Sequence, residues 1–378
     1  MLQFRMALNC GIVGLPNVGK STIFSALSSA PAEAANYPFC TINPNVGIAS
    51  VPDSRLDKLS ALFKPKKTIP ATVEFVDIAG LVKGASKGEG LGNQFLSHIR
   101  EVSVYAHVVR CFENADVIHV NNKVDPVSDM EIIDIELALA DLQGAMKRRE
   151  RAEKMLKVQN EKKNAEAVLA VLDKISPMLE DGKPIRLANL NDDEKAAIYD
   201  CHFITAKPQL YVCNVDEEGI RSIAAGGEGN VHVQAVKKRA AAEGSTAICI
   251  CGKFEAELSD ITNIEEKLAF LEELGLKEPG LSSLIRSAYQ LLNLRTFFTA
   301  GEDECRAWTI HSGDSAPKAA GVIHTDFEKG FIKAEVYTCD DIFKYETEAK
   351  IKEAGRYRVE GRDYIVQDGD VMFFKFNV

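Results

Sequence analysis

Residues 7–28 read ALNCGIVGLPNVGKSTIFSALS. The apolar run Ala7–Val13 is consistent with a buried parallel strand. Lys20–Ser28 reads as a helix. Between them, Gly14-Leu15-Pro16-Asn17-Val18-Gly19-Lys20-Ser21 fits the phosphate loop G-x-x-x-x-G-K-[ST]. Strand, loop and helix stand in the order this motif requires. Glycines let the backbone wrap phosphate oxygens with its N–H groups, and the start of the helix adds positive potential. Lys20 is expected to reach the β- and γ-phosphates, and the Ser21 hydroxyl to ligate Mg2+.

Further strands are expected at Ala71–Val76, Val104–Phe112, Gln209–Cys213 and Ala247–Cys251. Helical stretches separate them, which indicates βαβ units and a mostly parallel sheet. The pattern is interrupted between Met130 and Leu179, where the sequence turns helical and charged. Ile132, Ile135, Leu139, Leu142 and Met146 follow helical spacing, as do Ala165, Val168, Leu172, Ile175 and Leu179. Two such stripes around the polar stretch Lys157–Asn164 predict an antiparallel helical hairpin, with Pro177 kinking or restarting its second helix. A last unit begins near Asn293, with strands at Glu304–Ile310, Phe331–Thr338, Tyr364–Val366 and Val371–Phe376. Helical stretches are expected near Pro317–His324 and Ala349–Tyr357. Asp368-Gly369-Asp370 is read as the hairpin turn joining the final strand pair. The expected domains are 6–130 with 203–290, the insertion 131–202, and 293–376.

At 378 residues the chain is too long for one ordinary core. Its 46% hydrophobic and 26% charged residues exclude a largely disordered or collagen-like protein. No window holds about 18 uninterrupted apolar residues, and the N-terminus shows no small-residue cleavage site, so a cytoplasmic protein is expected. The nine cysteines form no C-x-x-C pair and are read as core packing. A net charge of −10 argues against indiscriminate nucleic-acid binding.

Asp77-Ile78-Ala79-Gly80 closes the second strand, roughly sixty residues past the phosphate loop. Asp77 there can hold Mg2+ directly or through water, and Gly80 lets a backbone N–H approach the γ-phosphate. Thr41, in the loop before that strand, is positioned to complete the metal shell. Five glycines within residues 80–92 predict a mobile switch loop. Asn122-Lys123-Val124-Asp125 matches the guanine-reading N-K-x-D pattern. However, only nine residues separate Phe112 from Asn122, and a parallel crossover needs about a dozen or more. It is therefore read as a loop coincidence. Asn214-Val215-Asp216-Glu217, after strand Gln209–Cys213, is the better base reader. An Asn amide can engage the N6 amino group and N7 of adenine together, whereas Glu217 is a methylene too long to replace the guanine-gripping Asp. ATP is therefore expected to be preferred over GTP.

These residues resemble the Obg-like ATPase (YchF) family, within the Obg-related P-loop translation-factor GTPases. The resemblance rests on GIVGLPNVGKST at 11–22, NYPFCTINPN at 36–45, FVDIAGLVKGASKGEGLGNQFLSHIRE at 75–101, RCFENADVIHV at 110–120 and NVDE at 214–217. It continues through AAGVIHTDFEKGFIKAEV at 319–336 and DYIVQDGDVMFFKFNV at 363–378, and so covers nearly the whole chain. It implies an α/β P-loop NTPase domain of Obg type, interrupted by an antiparallel coiled-coil hairpin. It also implies a C-terminal β-grasp domain of TGS type. By motif position, Asn17, Val18, Gly19, Lys20, Ser21 and Thr22 would cradle the phosphates, and Ser21 and Thr41 would ligate Mg2+. Asn214 and Val215 would read adenine, with Phe112 packing on the base. Cys251-Gly252-Lys253 stands where many relatives carry Ser-Ala-Lys, a departure at the last base contact.

Leu81 follows Asp77-Ile78-Ala79-Gly80, where Ras-like proteins carry a water-orienting Gln. Leucine has no hydrogen-bonding group, so slow intrinsic hydrolysis is expected, with Lys20 and Gly80 at the γ-phosphoryl group. Asn17 occupies the position that holds K+ in some relatives, so K+ is a second expected ion. His119 is a third candidate catalytic group, although a core or surface role is the more ordinary reading of it and of His98. Residues 143–163 carry eight basic and three acidic residues, a local net charge of +5. A basic hairpin tip could grip rRNA phosphates, and a solvated helix face is the plainer reading. The expected partners are ATP, the ribosome (50S/70S) and rRNA, with no membrane or DNA partner and a monomeric state. The rival readings are a GTPase of the Obg/Era type and a ribosome or RNA-binding module with negligible turnover.

Overall fold

The computed structural model describes residues 9–29, 45–78, 91–114 and 123–377, with only the backbone described at 91–94. The first elements are β1 (Asn9–Val13), α1 (Lys20–Ser29), β2 (Val46–Ser50), α2 (Ser54–Phe63), β3 (Lys67–Ile69), β4 (Thr72–Asp77), α3 (Leu91–Glu101) and β5 (Val104–Arg110). Then come α4 (Pro126–Met155), α5 (Lys162–Glu180), α6 (Asp192–Ala197), β6 (Gln209–Asn214), α7 (Glu217–Ala224), α8 (Val231–Ala242) and β7 (Thr246–Ile250). The described residues divide into two compact units, one of 9–29, 45–47 and 74–284, the other of 48–73 and 285–377.

One sheet has the order β2-β4-β1-β5-β6-β7. The pairs β4–β1, β1–β5, β5–β6 and β6–β7 are all parallel. Every residue of β1, β5 and β6 is buried. Central strands of a covered parallel sheet have no solvent face, which is why they read as continuous apolar runs. Strand β6 lies directly beside β5 although about a hundred residues separate them, because the helical insertion leaves and returns between neighbouring strands. No helix among the described residues is long and apolar enough to cross a membrane.

The insertion is a pair of packed helices, α4 and α5. On α5 the expected stripe Ala165, Val168, Leu172, Ile175 and Leu179 is buried. Each larger side chain there contributes roughly 1.5–3 kcal/mol by leaving water. On α4 the expected stripe holds only in part: Ile132, Leu139 and Leu142 are half-buried, with Leu142 against the hairpin core, but Ile135 is 45% and Met146 53% exposed, while Met130, Ile133, Leu137, Ala138, Ala145 and Ala152 are buried. Two buried carboxylates turn the helix. Asp134 accepts from Arg186 Nη2 at 3.0 Å and Arg239 Nη2 at 2.6 Å. Asp141 accepts from the backbone N–H groups of Ile204 and Thr205 and from the Thr205 hydroxyl. A buried charge is tolerated only when paired in this way, so the face that looks polar in the sequence points inward. Pro177 lies in the last turn of α5 and restarts nothing, since the helix ends three residues later, at Glu180.

After β7 come α9 (Gly252–Asp260), α10 (Ile264–Glu273), α11 (Gly280–Leu291), β8 (Leu294–Ala300), β9 (Glu304–His311), α12 (Ala316–Ile323), α13 (Thr325–Lys329) and β10 (Phe331–Thr338). The chain finishes with α14 (Cys339–Tyr345), α15 (Glu348–Glu353), β11 (Arg358–Glu360) and β12 (Asp370–Phe376). The second unit's sheet has the order β11-β10-β12-β8-β9-β3.

Two expectations need correction in this unit. The segment between β2 and β4 groups by its contacts with this unit, outside the bounds 293–376 expected for it. Strand β3 runs parallel to β9, and Arg55 of α2 donates to Asp368 at 2.6 Å. Pairings across more than two hundred residues leave no local mark in the sequence. Tyr364–Val366 is not a strand: Ile365 makes only an isolated bridge to Ser315. Asp368-Gly369-Asp370 is therefore no hairpin turn. The buried Asp370 carboxylate takes the Gln367 N–H and the Tyr364 hydroxyl, folding 364–370 into a tight approach to β12. That strand instead pairs antiparallel with β10 and parallel with β8.

Candidate nucleotide-binding site

At the C-terminal end of β1 the chain turns through residues 14–19 into α1. Asn17 and Gly19 have φ of 62° and 92°, the left-handed region that favours glycine. A Cβ at Gly14 would lie 2.7 Å from the Val108 carbonyl, so the loop needs glycine to pass over β5. Ser21 and Thr22 are exposed in the first turn of α1, whose N–H groups have no partner within the helix. Among them Lys20 is buried, and its Nζ donates to Asp77 Oδ1 at 2.6 Å. Asp77 ends β4, the parallel neighbour of β1, so an ammonium and a carboxylate meet at adjacent strand ends. Asp77 is the counter-charge of Lys20. The donors available to a metal, the Ser21 hydroxyl and the Asp77 carboxylate, are hard oxygens of the kind Mg2+ takes. Thr41, Gly80, Leu81, His119 and Asn122 lie outside the described residues.

The other end of the site forms where β5, β6 and β7 stop together, with Arg110 in register with Asn214 and Asn214 with Ile250. Crevices at the carboxyl ends of parallel strands are the usual ligand sites of such sheets. The Asn214 side chain is buried. Its Nδ2 donates to the Val18 carbonyl at 2.8 Å, and its Oδ1 accepts from the Gly252 N–H at 2.9 Å. One amide thus joins the phosphate loop to the start of α9. Gly19 is drawn in as well, since a Cβ there would collide with Asn214 Nδ2. Val215 donates its N–H to the Ile250 carbonyl at 2.9 Å. Asp216 caps α7 by accepting from the Gly219 N–H, and Glu217 pairs with Lys253 Nζ at 2.8 Å.

Phe112 is half-buried, with the Arg110 guanidinium carbon 4.6 Å from its ring centroid. Arg110 itself is 1% exposed. Burial lowers its pKa from the ordinary guanidinium value, opposed by the charges of Asp129 and Glu113. Asn230, the N-cap of α8, donates to the Cys111 carbonyl at 2.7 Å. Arg110 and Asn230 are not among the residues the sequence marks, and Gly252 is marked only within the Cys251-Gly252-Lys253 departure. Arg110 alone carries a signal, as a charge closing an otherwise uncharged strand, VYAHVVR.

Asp125 takes a structural place at the start of α4. Its carboxylate accepts from the Ser128 N–H at 3.2 Å and caps α4, and no strand precedes it among residues 123–125. His98 is exposed on α3.

A phosphate loop between the first strand and helix of a parallel sheet, with an Asn clamp at the end of β6, defines a P-loop nucleoside triphosphatase. A model of 50S ribosome-binding GTPases matches residues 9–135, and a YchF GTPase C-terminal model, described as a protein of unknown function, matches 294–377. The ribosome-binding ATPase YchF of Escherichia coli O157:H7 is 54% identical, and that of Bacillus subtilis strain 168 is 51% identical. Each alignment spans 99% of this chain and 100% of the relative. The structure of the Schizosaccharomyces pombe YchF GTPase superposes with a TM-score of 0.86 at 39% identity, covering 97% of both chains. The chain belongs to the YchF family.

Proposed function

We propose that the chain is a slow, Mg2+-dependent ATPase switch, hydrolysing ATP to ADP and phosphate and GTP more weakly. Its nucleotide state is coupled to binding the ribosome in the cytoplasm, and it acts as a monomer. The observation that carries the base preference is the state of the carboxylates beside Asn214. Asp216 caps α7 and Glu217 pairs with the exposed Lys253, so both carboxylates are engaged away from a guanine-reading position. Asn214, already held by two backbone groups, keeps one amide hydrogen and one oxygen lone pair for the N7 and N6 edge of adenine. Val215 closes the base pocket, and Phe112 packs on the ring.

At the other end, residues 17–22 cradle the phosphates, with Lys20 exchanging Asp77 for the β- and γ-phosphates. Ser21, Thr41 and, through water, Asp77 would hold Mg2+, which supplies charge neutralisation at the transferring phosphoryl group. Asn17 is the residue proposed to hold K+, and Gly80 the one whose N–H meets the γ-phosphate. His119 is retained as a further group for activity assays. ATP and GTP dissociation constants measured side by side test the reading, and tighter GTP binding overturns it. The same measurement addresses the rival GTPase reading, which the name of the S. pombe relative favours.

The ribosome reading rests on the names of the bacterial relatives. The hairpin tip supports an rRNA contact. Arg148, Arg149 and Lys162 are taken up in ion pairs with Asp200, Asp173 and Glu166, whereas Lys147, Arg151, Lys154, Lys157 and Lys163 are exposed. Co-sedimentation with 50S and 70S particles across a salt series tests it. Replacing Lys147, Arg151 and Lys154 by Glu is expected to abolish co-sedimentation, with ATP affinity unchanged. Retained binding assigns the contact elsewhere.

A further inference from the structure

Arg110 closes β5 at the base end of the site, where a charge is costly to bury. It is the largest fully buried side chain of the described residues. Nε donates to the Phe112 carbonyl at 3.1 Å and Nη2 to the Asn114 carbonyl at 3.0 Å. The guanidinium also lies against the Phe112 ring. One planar group therefore fixes two carbonyls of the segment that follows it and supports the side chain between them. This requires arginine's geometry. An ammonium is a point donor, whereas the guanidinium offers several donors in a fixed plane whose faces remain free to stack. The segment is braced from two other sides, by the Cys111 N–H on the Asn214 carbonyl and by Asn230 Nδ2 on the Cys111 carbonyl. Asn214 thus reaches the phosphate loop through its side chain and the Phe112 segment through its backbone.

We propose that Arg110 is a positioning residue for base recognition. It holds residues 112–114 in place and backs one face of the Phe112 ring, leaving the other for the purine. The inference rests on the reading that Phe112 packs on the base. It adds that the platform is formed before nucleotide arrives, and that a buried cation behind the ring builds it. A preformed aromatic platform binds a base without first spending free energy on ordering a loop.

The test is a double-mutant cycle on nucleotide affinity in the full chain. Phe112→Ala is expected to weaken ATP binding about tenfold. Arg110→Lys, which keeps the charge and loses the planar fork, is expected to do the same, with kcat at saturation within about twofold of the parent. The double variant is expected to be no weaker than Phe112→Ala alone, because both changes remove one platform. Inorganic tripolyphosphate, which lacks the base, is expected to compete equally well for all four proteins. Multiplying losses, or an Arg110→Lys protein that binds ATP normally while Phe112→Ala does not, overturn the role of Arg110 alone. Normal ATP binding by Phe112→Ala overturns the stacking reading and the inference together. Hydrogen exchange on the unaltered protein keeps the idea testable should Arg110→Lys not fold. The amides of 112–114 are expected to be protected before ATP is added, and exchange at free-peptide rates overturns a preformed platform.

Discussion

The two ends of the nucleotide site are built in opposite ways. The phosphate end lies in one contiguous stretch, Gly14–Ser21, and works through backbone N–H groups and a left-handed turn. The base end is assembled from the tips of three strands, β5, β6 and β7, that lie far apart in sequence. Its parts are an amide, a ring and a buried guanidinium that meet only because the sheet brings them together. On the proposed reading, phosphate is recognised by local geometry and the base by tertiary packing. The contrast predicts that damage at the phosphate end acts on chemistry, while damage at the base end acts on affinity and on folding.

Lys20→Ala is expected to have the largest effect. Removing a charge aimed at the transferring phosphoryl group costs about 100- to 1000-fold in kcat, read by single-turnover hydrolysis with Mg2+ and ATP. The loss should be equal for ATP and GTP, because Lys20 never meets the base. An effect on affinity alone would erase the distinction between the two ends.

Gly19→Ala probes the point where the ends touch. Its φ of 92° strains any L side chain, and the added methyl would strike Asn214 Nδ2. About 2–3 kcal/mol of strain is expected, equivalent to roughly 30- to 150-fold weaker binding of every nucleotide by titration. Asn214→Ala comes next, at roughly 1–3 kcal/mol for a buried amide that leaves the Val18 carbonyl and the Gly252 N–H unpaired. Here the split between nucleotides is informative. Equal losses for ATP and GTP make Asn214 a clamp of the protein's own loops, whereas a loss confined to ATP makes it a reader of adenine.

The same division decides what could be read from sequence. The phosphate loop was legible because a few adjacent residues dictate its backbone, and the buried strands because a two-sided parallel sheet demands uninterrupted apolar runs. The place of Asn214 at the end of the strand beside β5 was legible through topology, because the crossover from β5 is too short for a parallel strand to end at Asn122. The contacts of Arg110 and Asn230 were not legible, since their partners are main-chain carbonyls that any sequence could supply. The α4 stripe was misplaced in part for a related reason. Counting apolar residues assigns Asp134 and Asp141 to solvent, and only the fold reveals that Arg186, Arg239 and Thr205 meet them inside.

The smallest expected effect is on stability, and it tests whether the base end carries an energetic cost of its own. Glu255 lies on α9, the helix that begins at Gly252, and it is 3% exposed. Its Oε1 accepts from the Gly280 N–H at 2.7 Å, while Oε2 has no hydrogen-bond partner. Burial pushes its pKa up to about 7, against the ordinary 4.5, and backbone N–H groups only partly oppose this. The folded protein therefore holds a proton between these two values that the unfolded chain has released. The stabilisation this gives is complete below pH 4.5, falls as pH rises and is lost above pH 7. Glu255→Gln keeps an oxygen for Gly280 and carries no charge at any pH. In thermal melts without nucleotide it is expected to match the parent near pH 5 and to exceed it at pH 8 by up to roughly 2–3 kcal/mol. A gap of the same size at both pH values would show that the carboxylate costs nothing where it sits, and the energetic contrast between the two ends of the site would then fail.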